Sequence, residues 1–245
     1  MTAPSTITDN LVGYWDLNAS SNPFDDLHNS NDGTNSGSDD VATGQDFVSS
    51  NSDYATFPMT SITIGDALSF LIRVNIDTGQ SYGRVLHLEI DNMGFMLVVN
   101  GTMLALVPSD ATGSTWGATS NSIVYDASAS IGSMINIWGV ISTGTSSKSV
   151  VRFYVEGSAI TATTSASLGN GSSVTSLVAM TRNTGADYAD GIIARLAFWD
   201  RELTAAEIEG TDDDYEYADW GDSSTSMLPN KWTAGCFKGC FNGCF

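Results

Sequence analysis

The sequence predicts an all-β protein: a two-sheet antiparallel jelly-roll sandwich with one short helix near the end of the domain and a largely irregular C-terminal tail. Three observations lead there. Segments dense in β-branched and aromatic residues recur through most of the chain, several of them alternating at period two. Turn signals, not helical repeats, separate them. Only one stretch carries helix-start chemistry, and it comes late.

The predicted strands are, in order, "LVGYWDL" (11–17), "ALSFLIRVNI" (67–76), "GRVLHLEI" (83–90) and "FMLVVN" (95–100). They continue with "TMLALV" (102–107), "MINIWGVIST" (134–143), "SVVRFYVEG" (149–157) and "GIIARLAFW" (191–199). "NG" at 100–101 and "EG" at 156–157 read as hairpin turns, because Asn and Gly accept the positive φ such turns need. In "RELTAAEIEG" Thr204 stands three residues before Glu207, the spacing of a capping box, and Gly210 can end the turn. The helix is about two turns long, the size of a lid on a sandwich. Composition then changes, so a boundary is placed at Gly210: residues 1–210 form the domain and 211–245 a tail, acidic first and then rich in Cys, Phe and Gly. The acidic stretch holds Tyr215, Tyr217, Trp220 and Trp232, too many aromatics for a plain linker, and is expected to wrap along a surface of its own or a neighbouring chain.

Charge narrows the function. With 28 acidic and nine basic residues the net charge is −19, so no basic patch is available to release phosphate counterions. Nucleic acid and anionic membrane surfaces are thereby disfavoured. No apolar run approaches the length of a membrane span. "MTAPSTITDN" has neither a basic nor an apolar leader region, so either a leader has been removed or export takes another route; Met1 favours the second, of which release on a virion by lysis is one form.

The order of segments from about residue 11 to 210 resembles the laminin-G-like and pentraxin-like jelly rolls of the concanavalin A-type lectin/glucanase superfamily. "LVGYWDLN" looks like that family's opening strand, "DDLHNSNDGTN" its Asp/Asn/Gly loop, and "GQDFVSSNSDYATFP" its G-x-x-F…D-Y-x-x-x-P strand pair. "INIWGVIST" stands where the family has W-x-x-V-A, and "VVRFYVEG" where it has L-Y-V-N-G. "DGIIARLAFWDRELTAAEI" follows its closing strand and helix. The resemblance implies a calcium site: Asp25, Asp26, Asn29, Asn31 and Asp32 offer hard oxygen ligands, and Asp190 is expected at the same end of the sandwich. The family's Asp in G-x-I-D is Ala194 here, and Asp/Asn/Gly loops also form as simple turns. No organic cofactor is implied.

Catalysis is not expected. "HLEIDNMGF" resembles the start of the E-I-D-x-x-E signature of laminarinase-type hydrolases, which on one strand sets Glu89, Asp91 and Met93 on one face. Met93 and Gly94 occupy the place of the acid, and neither can protonate a leaving group. The competing reading, a hairpin turn at "IDNMG", is preferred. Neither histidine lies in a nucleophile motif, and His87 reads as a strand-face residue. For a glycan ligand, Trp116 in "GSTWGATSN" is the first candidate, with Tyr82 and Tyr188 behind it. A loop Trp can equally fold back on the sandwich or meet another subunit.

The chain closes on "GCFKGCFNGCF". Three cysteines without a nearby histidine fall one ligand short of a zinc site, and an odd count leaves a thiol over in any intrachain pairing. As an extended ribbon the segment sets Cys236, Cys240 and Cys244 on one face and Phe237, Phe241 and Phe245 on the other. The expectation is a fastening, through interchain disulfides or a shared metal, in a homo-oligomer or larger capsid or surface assembly. The protein so read is extracellular, non-enzymatic and most specifically a virion decoration or fibre-type component with a lectin-like domain. A secreted calcium-dependent carbohydrate-binding module is the alternative.

Overall fold

The structure, a computed structural model, describes residues 7–18, 23–64, 67–80, 82–90, 93–109, 123–143, 149–160, 165–166, 172–181 and 187–211. The chain order opens with β1 (Leu11–Asp16), β2 (Thr34–Ser36), β3 (Asp39–Val41), β4 (Gly44–Phe47) and β5 (Tyr54–Ile64). It continues with β6 (Ala67–Ile76), β7 (Gly83–Ile90), β8 (Met93–Asn100), β9 (Met103–Ser109) and β10 (Ile123–Asp126). Then come β11 (Met134–Thr143), β12 (Ser149–Val155), β13 (Ser158–Ile160), β14 (Ser165–Ala166), β15 (Ser172–Ala179), β16 (Gly191–Trp199) and α1 (Ala205–Thr211). These strands form two antiparallel sheets. The first runs β13-β12-β11-β6-β16-β4-β3, with β1 also on β16 and β14 on β12. The second runs β10-β9-β8-β7-β15-β5-β2.

Four predicted strands, β6, β7, β11 and β16, start and stop where the sequence places them, because their β-branched and aromatic residues supply two faces to bury. Both hairpin turns form. Val155 pairs with Ser158 across Glu156 and Gly157, which take φ of 50° and 66°, as a primed turn demands. At the other, Asn100 pairs with Met103, so the loop residues are Gly101 and Thr102 and Asn100 belongs to the strand. The capping box is complete: Glu207 N–H donates to Thr204 Oγ1 (3.2 Å) and Thr204 N–H to Glu207 Oε2 (2.8 Å). The helix runs one residue beyond Gly210, to Thr211.

The core lies between the sheets. Phe70 of β6 stacks on Phe95 of β8 with centroids 4.8 Å apart and planes 5° from parallel, which ties one sheet to the other. Phe198 extends the stack, 6.4 Å from Phe95. Gly139, paired with Phe70 across β11 and β6, makes the space: a Cβ there would sit 2.1 Å from the Phe70 ring.

Part of the outer face of the first sheet is also buried. Leu71, Trp138, Val140, Tyr154, Ala197 and Trp199 form a second apolar layer there, sealed by Leu203, by Ile208 of α1 and by Ile7. Trp199 Nε1 donates to Ile7 O (2.6 Å), and Leu203 N–H to Ser69 Oγ (2.9 Å), so the lid is pinned at both ends. Gly139→Ala is expected to cost about 1–3 kcal/mol by overpacking at Phe70. Urea denaturation measures it, and a midpoint equal to wild type would show that the stack relaxes freely.

Candidate functional site

Three regions bear on function, and the sequence candidates distribute unevenly among them. The first is the Asp/Asn loop. Phe24 and Gly33 anchor it in the core against Phe57; a Cβ at Gly33 would lie 2.8 Å from that ring. The Asp26 carboxylate, 7% exposed, accepts from Tyr14 N–H (2.9 Å), His28 N–H (3.0 Å) and Asn31 N–H (3.2 Å). Asp32 Oδ1 accepts from Asp26 N–H (3.0 Å), and the Asn29 and Asn31 amides both donate to Val12 O (2.6 and 3.1 Å). Asp26, Asn29, Asn31 and Asp32 are thus spent on backbone of the loop and of β1, a structural use of residues nominated for calcium. Asp25 is half-buried beside them. Among the described residues no group of three or more His, Cys, Asp or Glu is arranged to hold a metal ion.

Asp190 lies elsewhere. The loop returns along β1, with Asp26 bridged to Trp15, which pairs with Leu196. Asp190 precedes the start of β16, six residues away along the strand, or roughly 20 Å at the strand rise. Its carboxylate accepts from Ser49 N–H (2.5 Å) and Ser49 Oγ (2.8 Å), and its backbone is clasped by the Gln80 amide. The two halves of the predicted calcium shell are therefore not brought together.

What Asp190 does join is an acidic corner the sequence reading missed. Asp39 pairs with Asp46 across β3 and β4. Burial first, then the charges of Asp77, Asp39, Asp53 and Asp190, push the Asp46 carboxyl above its ordinary value of 3.8. Only the strand register collects these residues. The sole signal in sequence is the seven-residue spacing of Asp39, Asp46 and Asp53.

The third region is the outer face of the second sheet. Met96, Val98, Ala105 and Val107 are buried there, with Tyr82 packed against them. Arg84 Nε stands 3.2 Å from Asp187 Oδ2, an ion-pair contact without hydrogen-bond alignment. Arg84 Nη1 lies 3.2 Å from His87 Nε2. A guanidinium can only donate, so Nε2 accepts and the ring proton belongs on Nδ1. His87, 3% exposed, is a strand-face residue as expected. Tyr188 forms a parallel bridge with Arg84, and Gly83 packs so closely on this segment that a Cβ would meet Tyr188 O at 2.8 Å. The bridge sets Tyr188 beside Arg84, two residues along the chain from Tyr82, and both tyrosines are half-buried. Asp187 holds φ at 56°, a left-handed conformation that Asp tolerates better than most residues.

The glycosidase fragment does not run along one strand. β7 ends at Ile90, which pairs with Met93 at the start of β8, so Glu89 and Met93 lie on opposite arms of a hairpin. Trp116, Asp91 and the tail residues Cys236, Cys240, Cys244, Phe237, Phe241 and Phe245 lie outside the described residues.

The raised Asp46 carboxyl sets a pH test. Because the folded state holds this proton to higher pH than the unfolded chain, folding takes up a proton just above pH 3.8, and Asp46's contribution to stability falls as pH rises through that window. Asp46→Asn should therefore raise stability near pH 7 by less than about 1 kcal/mol, since the group is partly solvated, and change little near pH 3.5. Urea midpoints at the two pH values measure the difference; a loss at neutral pH would contradict the crowding.

Comparison with known proteins agrees with the fold. Residues 49–209, more than half of the chain, match a laminin G-type family described as the concanavalin A-like lectin/glucanases superfamily. A comparison with curated proteins finds no match. Among solved structures, the chain is similar to a mutant of Trypanosoma rangeli sialidase displaying trans-sialidase activity, with a TM-score of 0.60 and 14% identity over 84% of this chain and 33% of that one. It is similar too to the botulinum neurotoxin serotype D binding domain (TM-score 0.60, 14% identity, 83% of this chain and 51% of that one). The serotype G binding domain gives a TM-score of 0.61 at 15% identity, over 83% of this chain and 50% of that one. The chain thus spans between 33% and 51% of these structures, and at such identities the likeness is one of fold. Sheet order, register and the match over residues 49–209 converge on one assignment: this chain belongs to the concanavalin A-like lectin/glucanases superfamily, with a laminin G-type domain.

Proposed function

We propose that this protein is a non-enzymatic surface component that binds glycans through its sandwich and is fastened into an assembly by its tail, a virion decoration or fibre-type protein in its most specific form. The observation that carries the glycan reading is the bridge that sets Tyr188 beside Arg84, itself in contact with Asp187 and two residues from the half-buried Tyr82. Half-buried aromatic rings can stack on the apolar face of a sugar, while a carboxylate and a guanidinium address its hydroxyls. Two of the similar structures, a sialidase and a neurotoxin binding domain, support the reading. The non-enzymatic part draws on the missing acid: the only motif fragment is interrupted by the β7–β8 hairpin. The assembly part draws on the tail alone, with its cysteines at four-residue intervals and acidic approach.

A glycan array probed with and without calcium tests the ligand. Calcium is the second variable because carboxylates crowd Asp46, and a cation lowers such repulsion. Binding is expected, weakened about tenfold by Tyr188→Ala, the size of a lost stacking contact. Silence under both conditions removes the lectin reading. Mass photometry of the full chain with and without reductant tests the fastening: an oligomer is expected that loses mass on reduction or on Cys→Ser replacement at 236, 240 and 244. A monomer indifferent to both contradicts it.

A further inference from the structure

Two segments far apart in the chain share the outer face of the first sheet. Residues 7–10 form a turn, closed by Leu11 N–H donating to Thr8 O (3.1 Å), and residues 200–211 carry the chain from β16 into α1. Both rest on one apolar layer. Ile7 packs on it from the first segment and Leu203 and Ile208 from the second. In that layer the rings of Trp138 and Trp199 stack, with centroids 5.8 Å apart and planes at 27°.

Polar contacts join the same segments. Trp199 Nε1 donates to Ile7 O (2.6 Å), Asp200 N–H to Asn10 O (2.9 Å) and Arg201 Nε to Asp9 O (2.7 Å). The Arg201 side chain also reaches α1, where Nη2 lies 2.8 Å from Glu207 Oε1 in a largely buried pair. Glu207 Oε2 in turn accepts from Thr204 N–H and from Thr204 Oγ1, both at 2.8 Å. One guanidinium therefore holds a carbonyl of the N-terminal turn and the carboxylate that caps the helix. Its own residue is moored to β6: Arg201 O accepts from Ser69 Oγ (2.8 Å), which accepts from Leu203 N–H (2.9 Å).

Two links thus make the segments depend on each other. A buried guanidinium–carboxylate pair is costly to break from one side, because the group left behind stays desolvated. Ile7, Leu203 and Ile208 cover a common surface, so lifting either segment wets apolar area that the other also covers. Beneath them β6 is held by ladders to β11 and β16, the kind of element that opens last.

We propose that residues 7–10 and 200–211 form a single opening unit coupled through Arg201, a two-part lid that uncovers the Trp138–Trp199 pair while the sandwich stays folded. The device lies on the opposite sheet from the tyrosine surface and is independent of the glycan reading.

Native-state hydrogen–deuterium exchange on the full chain, read at single amides by NMR, tests this. Leu11 and Asp200 report the turn, and Leu203 and Ile208 report the lid helix and its approach. All four should exchange through one common opening, faster than the interior amides of β6 and β11. Glu207→Gln, made on the helix, should speed Leu11 and Asp200 as well as Leu203 and Ile208, each about tenfold. Ile7→Ala, made on the turn, should speed Leu203 and Ile208 in return, because coupling is reciprocal. Ile7 is only partly buried, so this second variant keeps the test decisive if Glu207→Gln fails to fold. Acceleration confined to the substituted side overturns the proposal by showing two independent segments. Exchange of all four amides only at the rate of β6 and β11 overturns it as well, since opening is then global unfolding.

Discussion

The stack of Phe70 on Phe95 is the contact on which the other layers depend. It joins the central strand of one sheet to the facing sheet, and it exists because β11 carries a glycine where any side chain would strike the Phe70 ring. With that spacing set, Phe198, Phe57 and Trp15 fill the gap between the sheets, and Phe24 brings the Asp/Asn loop into the same core. Each of these buried rings contributes on the order of 2 kcal/mol by leaving water. The loops are anchored to this core and inherit their positions from it.

Carboxylates serve two opposite purposes in this molecule. Asp26 takes three backbone N–H groups and organises a loop that would otherwise bury unpaired donors. Asp46 instead sits among four other aspartates that make ionisation harder. The first kind of acid stabilises the fold. The second stores repulsion at one corner, the condition in which solvent ions and pH act most strongly on a surface. The arginines are sorted as well, with most of those described gathered on one face of one sheet, where the acids of the lid meet them.

Much of the scaffold could be read from the residues because its signals are local. β6, β11 and β16 alternate large apolar side chains, and Thr204 and Glu207 form a cap within four residues. β15 carries no such signal: "SSVTSLVA" is half Ser and Thr, and only its place between β7 and β5 makes it a strand. The candidate site was less legible. Asp25, Asp26, Asn29, Asn31 and Asp32 looked like metal ligands by type, yet the bonds of Asp26 and the two asparagines run to backbone that type cannot disclose. Tyr188 stands beside Arg84, two residues from Tyr82, only because a parallel bridge joins segments from opposite ends of the domain.

Composition and pattern alone therefore settled the all-β class, eight of the sixteen strands described, the late helix and the net acidity, since each follows from side chains within a few residues of one another. Register decided the rest. Which aspartates crowd one another, which arginines stand side by side and which tyrosines share a surface depend on pairings between strands far apart in the chain. A one-residue slip in any of them would turn those side chains to the other face.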